Sequence, residues 1–308
     1  MFPSKAIDGI VSHMTSDSSH WRNWTLAERE RQYSPSTCVA AIEPYLDAYV
    51  ARSREAERQC RCRKNLLWGE RPDETFDYFP AGSTDAPLLV YFHGGYWQEL
   101  SKNESLFAAP DCVAKGIAFA AIDYTLAPQA TLGTIVEQCR RAIASLHRQA
   151  ATLGFDARRI YVAGNSAGAH LAAMLLVEGW QAERGVPDDV VAGAVLLSGI
   201  YDLEPLVGTY IDAALHLTAE DVATLSPQRL KAGRPVKTII AWGENETAEF
   251  KRQSRAFASA LVGSGFPVTA FEVAGANHFD IVFGLANRES LLGAATIDII
   301  HDTKKRDT

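Results

Sequence analysis

Ile160-Tyr161-Val162-Ala163-Gly164-Asn165-Ser166-Ala167-Gly168-Ala169-His170-Leu171-Ala172 is the stretch whose reading decides the fold. A β-branched apolar run ends in Gly-x-Ser-x-Gly and passes straight into residues with helical spacing, which puts Ser166 in a turn between a strand and a helix. Such a turn is tight. Strand and helix can close on each other only where side chains are small, and Gly164, Ala167, Gly168 and Ala169 meet that condition. A serine held there stands at the positive end of a helix dipole, which favours negative charge developing beside it. An ordinary turn with Ser166 as helix N-cap would satisfy the five-residue pattern too, so the decision rests on its surroundings.

Working outward, apolar runs at 88–92, 117–122, 160–163, 190–197, 238–242 and 268–273 alternate with longer helical patterns. That alternation predicts parallel strands joined by crossover helices, and the nearly continuous apolar character of each run predicts strands covered on both faces. Ile135, Cys139, Ile143 and Leu146 recur at three- and four-residue steps, predicting an amphipathic helix that closes at Gly154. Further helices are expected from 166 to about 178, from 248 to about 262 and over 290–301. Residues 1–75, with a helix near 42–58, read as an N-terminal cap; 76–301 read as the catalytic core of a single α/β domain, and 302–308 as a charged tail.

With the motif in this setting, the fold class expected is an α/β-hydrolase fold: a mostly parallel sheet with helices on both faces and Ser166 as nucleophile. The strand 88–92 leads into His93-Gly94-Gly95-Tyr96-Trp97, where this fold places its second oxyanion donor. The expected donors are the N–H groups of Gly95, Tyr96 and Ala167, with Gly94 supplying the turn. His93 precedes the serine, whereas this fold orders its triad serine, acid, histidine, so His93 reads as a hydrogen-bonding residue of the loop. The base expected is His278, in the loop after the strand 268–273. The carboxylate expected is Glu246, in the loop after the strand 238–242, with Glu244 and Asp202 as the alternatives.

Bulk properties narrow the function. A net charge of −7 with no cluster of basic residues argues against nucleic acid as a partner. Five scattered cysteines point to a reducing compartment, and Cys60-Arg61-Cys62 lacks the second Cys/His pair that a metal site would need. The polar N-terminus has no apolar signal-like core and no apolar stretch approaches the length of a membrane span, so a cytoplasmic location off the membrane is expected. No metal or cofactor is expected, and the oligomeric state is left open, a homodimer included.

The chain resembles the kynurenine formamidase (arylformamidase) family of the esterase/lipase α/β-hydrolases. The resemblance rests on His93-Gly94-Gly95-Tyr96-Trp97, on Gly164 through Ala172, on Ser198-Gly199-Ile200-Tyr201-Asp202-Leu203-Glu204-Pro205, on Asn277-His278-Phe279-Asp280 and on Gln32-Tyr33-Ser34-Pro35-Ser36. It implies a metal-independent serine hydrolase of small aromatic amides or esters that turns N-formyl-L-kynurenine into L-kynurenine and formate, a step of tryptophan breakdown. In that family the triad acid is usually aspartate; the matching position here is Glu246. Trp97, Tyr201 and Phe279 are expected on the substrate pocket, with core packing as the competing role for each. A general carboxylesterase, or an amidase or carbamate hydrolase, could be built on the same residues.

Overall fold

In the computed structural model, which describes residues 20–302, every apolar run becomes a strand and each strand is flanked by the helices its spacing predicts. The strands are β1 (Arg63–Leu67), β2 (Thr75–Phe79), β3 (Leu88–Phe92), β4 (Ala118–Ile122), β5 (Ile160–Asn165), β6 (Val191–Leu197), β7 (Lys237–Asn245) and β8 (Val268–Asn277). The helices are α1 (Leu26–Gln32), α2 (Glu43–Gln59), α3 (Ala109–Ala114), α4 (Leu132–Leu153), α5 (Ala167–Met174), α6 (Trp180–Glu183), α7 (Asp212–Leu215), α8 (Ala219–Leu225), α9 (Ala248–Gly263) and α10 (Leu291–His301). The sheet order is β1-β2-β4-β3-β5-β6-β7-β8; β2 runs antiparallel to both of its neighbours, β1 and β4, and the remaining pairs are parallel. This is the α/β-hydrolase architecture.

Strands β3 to β6 are buried along their whole length, as their unbroken apolar runs require. Strand β8 departs from that expectation: it has β7 as its one neighbour and alternates between covered and open residues, as an edge strand does. Strands β1 and β2 are additions to the sequence reading, and β1 joins the sheet from within the N-terminal segment. β2 hides a charge in its middle: Asp77 is fully buried, accepts from Asn65 N at 2.8 Å and lies 3.7 Å from Lys102 Nζ. A buried, paired aspartate breaks the apolar pattern that marks the other strands.

Helix α4 begins at Thr131, whose side chain accepts from Thr134 N at 3.2 Å, and ends at Gly154 with φ +83°. Helix α5 stops at Met174, short of 178, because the chain turns off to bridge Val177 with Ala232 and to bond Glu178 N to Lys231 O at 3.2 Å. The N-terminal segment is bonded to the rest. The buried Tyr33 hydroxyl donates to Glu249 Oε2 at 2.8 Å and accepts from Gln253 Nε2 at 2.6 Å, and Thr247 Oγ1 donates to Gln32 O at 2.6 Å. Arg252 bonds both Glu249 oxygens, so this buried carboxylate keeps a cationic partner. No helix of the described residues is long and apolar enough to cross a membrane.

Helix α5 approaches the sheet backbone to backbone. A Cβ on Gly168 would stand 2.0 Å from Phe92 O, and one on Gly164 would stand 2.2 Å from Gly168 O. No side chain fits there. We expect Gly168→Ala to destabilise the fold by about 3 kcal/mol or more, because backbone rather than a flexible side chain must move. Urea unfolding monitored by circular dichroism measures this; an unchanged midpoint would contradict the close approach.

Candidate active site

Strand β5 feeds α5 through one residue, and that residue carries the strain. Ser166 adopts φ 56° and ψ −120°, in the region that side chains other than hydrogen rarely occupy. It is held there because its N–H donates to Leu197 O at 2.9 Å while its own carbonyl accepts from His170 N at 3.1 Å. Ser166 and His278, each 4% exposed, open on one cavity of about 350 Å³. Side chains more than a hundred residues apart thus share a wall.

Behind His278 stands Glu246, its side chain closed off from solvent. Its Oε2 lies 3.0 Å from His278 Nδ1, and its Oε1 accepts from Ser198 Oγ at 2.5 Å and from Gly243 N at 2.5 Å. The carboxylate therefore has partners on both oxygens, which fixes its orientation. Gly243 is required for this, since a Cβ there would stand 3.0 Å from Glu246 Oε1 and 2.6 Å from Ala276 O. The alternatives lie elsewhere. Asp202 bonds Arg229 Nε at 3.0 Å and caps Glu204 N at 3.2 Å; Glu244 accepts from Gly275 N at 2.7 Å on the surface.

The histidine loop is held by bonds of its own. Asn277 Oδ1 accepts from Phe279 N at 2.9 Å and Asp280 N at 3.2 Å, while Asp280 Oδ1 accepts from Asn277 N at 2.7 Å. The His278 ring packs on Phe250 with centroids 4.4 Å apart.

Facing Ser166 is the loop after β3. A Cβ on Gly94 would lie 3.1 Å from Asn165 O and 3.5 Å from Ser166 Cβ, so the loop passes directly over the serine. Gly95, Tyr96 and Trp97 follow with φ 92°, 50° and 60°. Among the described residues no acceptor takes the N–H of Gly95 or Tyr96. Ala167, as the first residue of α5, likewise has no intrahelical acceptor for its N–H. Gly94, Gly95 and Tyr96 all line the cavity.

His93 lies beneath this loop, its Nδ1 bonded to Gly94 O at 2.9 Å and its ring stacked on Tyr124 at 4.1 Å. Burial pushes it from the ordinary value near 6.5 down to about 4, against the smaller opposing pull of the Gly94 carbonyl and the Glu104 carboxylate. His170 is likewise pushed down to about 4 by burial, despite its bond to Leu225 O at 2.7 Å.

Two expected pocket residues are corrected. Trp97 is fully buried with its ring edge-on to His170 at 5.0 Å, because the left-handed backbone at 96 and 97 turns the indole under the loop. Tyr201 is also fully buried, stacked on Phe257 at 4.2 Å, because Gln253 Oε1 accepts from both Tyr201 N and Asp202 N and pins that turn against α9. Phe279 does line the cavity and stacks on Tyr45.

The wall facing the serine comes from the N-terminal segment, which includes Ile42, Leu46 and Tyr49. The sequence reading assigned no site role to these, nor to Ser198 or Gly243. The available signal was positional: Ser198 follows β6 as Ser166 follows β5. Among the described residues no group of three or more His, Cys, Asp or Glu side chains could hold a metal ion.

Comparison with known proteins agrees with this geometry. Residues 77–194 match the BD-FAE family. The chain is 34% identical over 295 residues to the kynurenine formamidase of Danio rerio, covering 92% of this chain and 99% of that one. It is 34% identical over 278 residues to the kynurenine formamidase of Salmo salar, covering 86% and 92%. Among solved structures, the hyperthermophilic esterase of the archaeon Pyrobaculum calidifontis shares the fold, with TM-score 0.69, 18% identity and coverage of 90% of this chain and 98% of that one.

The two neutral histidines set an acid limit on stability. Their folded values near 4 lie below the ordinary 6.5, so the unfolded chain takes up protons first as pH falls. The stability they permit is intact above the ordinary value and is lost as pH drops through about 4. We expect the urea midpoint to fall between pH 7 and pH 4, and His170→Gln to make that slope shallower. A midpoint that rises on acidification would contradict the burial of both rings.

Proposed function

The chain belongs to the kynurenine formamidase family of α/β-hydrolases, and from that premise we propose that it hydrolyses aryl formamides, N-formyl-L-kynurenine foremost, to the arylamine and formate. The observation that carries the reading is the Glu246–His278 pair, with Nδ1 and Oε2 at 3.0 Å, opening on the cavity that holds Ser166 in its strained turn.

The chemistry follows from that arrangement. Glu246 holds the proton of His278 on Nδ1, which leaves Nε2 as the lone-pair acceptor. Nε2 takes the proton of Ser166 as Oγ attacks the formyl carbon, and the carbonyl oxygen becomes an oxyanion. The N–H groups of Gly95, Tyr96 and Ala167 receive it; among the described residues no backbone acceptor takes them, which supports this role. The intermediate collapses as His278 returns the proton to the aryl nitrogen; the C–N bond breaks, the arylamine leaves and a formyl ester remains on Ser166. Water then attacks with His278 as base, and formate departs while Ser166 regains its proton.

No step calls on a metal. The free thiols of Cys38, Cys60, Cys62, Cys112 and Cys139 support a reducing compartment such as the cytoplasm for this reaction.

A carboxylesterase for small aromatic esters would use the same residues, and the match of 77–194 to BD-FAE is what favours it. Steady-state kinetics distinguishes the two. We expect kcat/KM for N-formyl-L-kynurenine to exceed that for phenyl acetate and phenyl butyrate; the reverse order assigns the site to esters. Ser166→Ala and His278→Ala are each expected to lower kcat/KM by about 10⁴ or more, as when members of one catalytic unit are removed. Glu246→Gln should cost about 10³–10⁴ through the wrong tautomer, while Asp202→Asn should stay within a few-fold of the parent. Equal losses at Asp202 and Glu246 would overturn the assignment of the acid.

A further inference from the structure

The cavity carries charge of one sign. Glu99 and Glu104, both from the segment that follows the oxyanion loop, line it, and among the described residues no lysine or arginine does. Neither carboxylate has a cationic partner among the described residues; Glu104 Oε2 accepts from Ser101 Oγ at 2.7 Å. The nearest lysine in sequence is turned inward. Lys102 is 3% exposed, with Nζ 3.3 Å from Asp123 Oδ2 and 3.7 Å from Asp77 Oδ1, so its charge is already met inside the protein.

A second observation on the same wall is independent of these carboxylates. His93 lines the cavity and is 1% exposed; its Nδ1 is engaged with the Gly94 carbonyl, which puts the proton on that nitrogen. Its Nε2 is therefore a lone-pair acceptor, and it is buried with no partner. A buried acceptor left without a donor costs free energy that a ligand N–H can recover. An ammonium group offers three donors and a positive charge, whereas a carboxylate offers acceptors alone.

We propose that this cavity selects aromatic substrates whose side arm bears an ammonium group and disfavours those whose arm ends in a carboxylate, through Glu99, Glu104 and the Nε2 of His93. The proposal rests on the hydrolase reading of the cavity and names the substrate class it takes. For an amino-acid substrate carrying both groups, the ammonium faces Glu104 and His93 and the carboxylate is directed to solvent. Glu104, half-buried, carries more of the preference than the exposed Glu99, whose field water screens.

The test uses matched ortho-acyl formanilides whose acyl arm ends in an amine, a methyl group or a carboxylate. We expect kcat/KM to favour the amine over the carboxylate by about tenfold or more at low salt, with the gap narrowing as salt is raised. In the double variant Glu99→Gln/Glu104→Gln that ratio should collapse towards one. A carboxylate arm turned over as well as the amine, or a ratio that survives the double substitution, overturns the proposal. The same pair of arms on aryl ketones that lack a formyl group is then titrated calorimetrically into Ser166→Ala. If formanilides prove poor substrates, the formamidase reading fails, while the binding ratio of the two ketones still decides the charge preference in either direction.

Discussion

Helix α5 meets the sheet with nothing but backbone between them, and the site depends on that contact. Hydrogen atoms in place of side chains let Gly168 of the helix lie against Phe92 O and Gly164 of β5 lie against Gly168 O. The chain can make the turn only if the residue between strand and helix takes a left-handed conformation, and that residue is Ser166. Strain at one residue costs on the order of 1–3 kcal/mol, which the surrounding buried strands offset. The same contact brings Gly94 over the serine and leaves the first N–H of α5 beside it. Ser166 and the proposed oxyanion donors are thus set by one packing constraint.

Glu246 and His278 are fixed by a different means, a set of hydrogen bonds among loops. Glu246 uses one oxygen for His278 and the other for Ser198 and Gly243, so three strand ends converge on one carboxylate. The longer glutamate reaches His278 because Gly243 lets the carboxylate lie against the backbone of β7. Thr247, the next residue, donates to Gln32 O, and Tyr96 OH donates to Tyr33 O. The N-terminal segment therefore ties the loop of Glu246 to the 94–97 loop, besides contributing to the cavity wall.

The cavity's character comes from how these parts are joined. Aliphatic and aromatic side chains from the N-terminal segment face a polar wall of His93, Glu99 and Glu104 across the serine. An aromatic ring fits the first surface through dispersion and burial, and a hydrogen-bond donor fits the second. The two surfaces come from different segments of the chain, and only the fold sets them around one cavity.

The sequence by itself determined the elements whose cause is local. The unbroken apolar runs required buried parallel strands, small residues around Ser166 required the tight turn, and Gly154 closed α4 where left-handed backbone was needed. Chain order alone separated His278 from His93. What only the tertiary structure decided depends on partners distant in sequence. Asp77 makes β2 legible as a strand only once Lys102 is beside it, and Asp202 is set apart from Glu246 only by Arg229 taking its carboxylate. Trp97 and Tyr201 look like pocket aromatics in one dimension and are core residues in three, because a side chain's exposure is settled by what packs over it. A sequence pattern carries the periodicity of an element but not the identity of the neighbour across it.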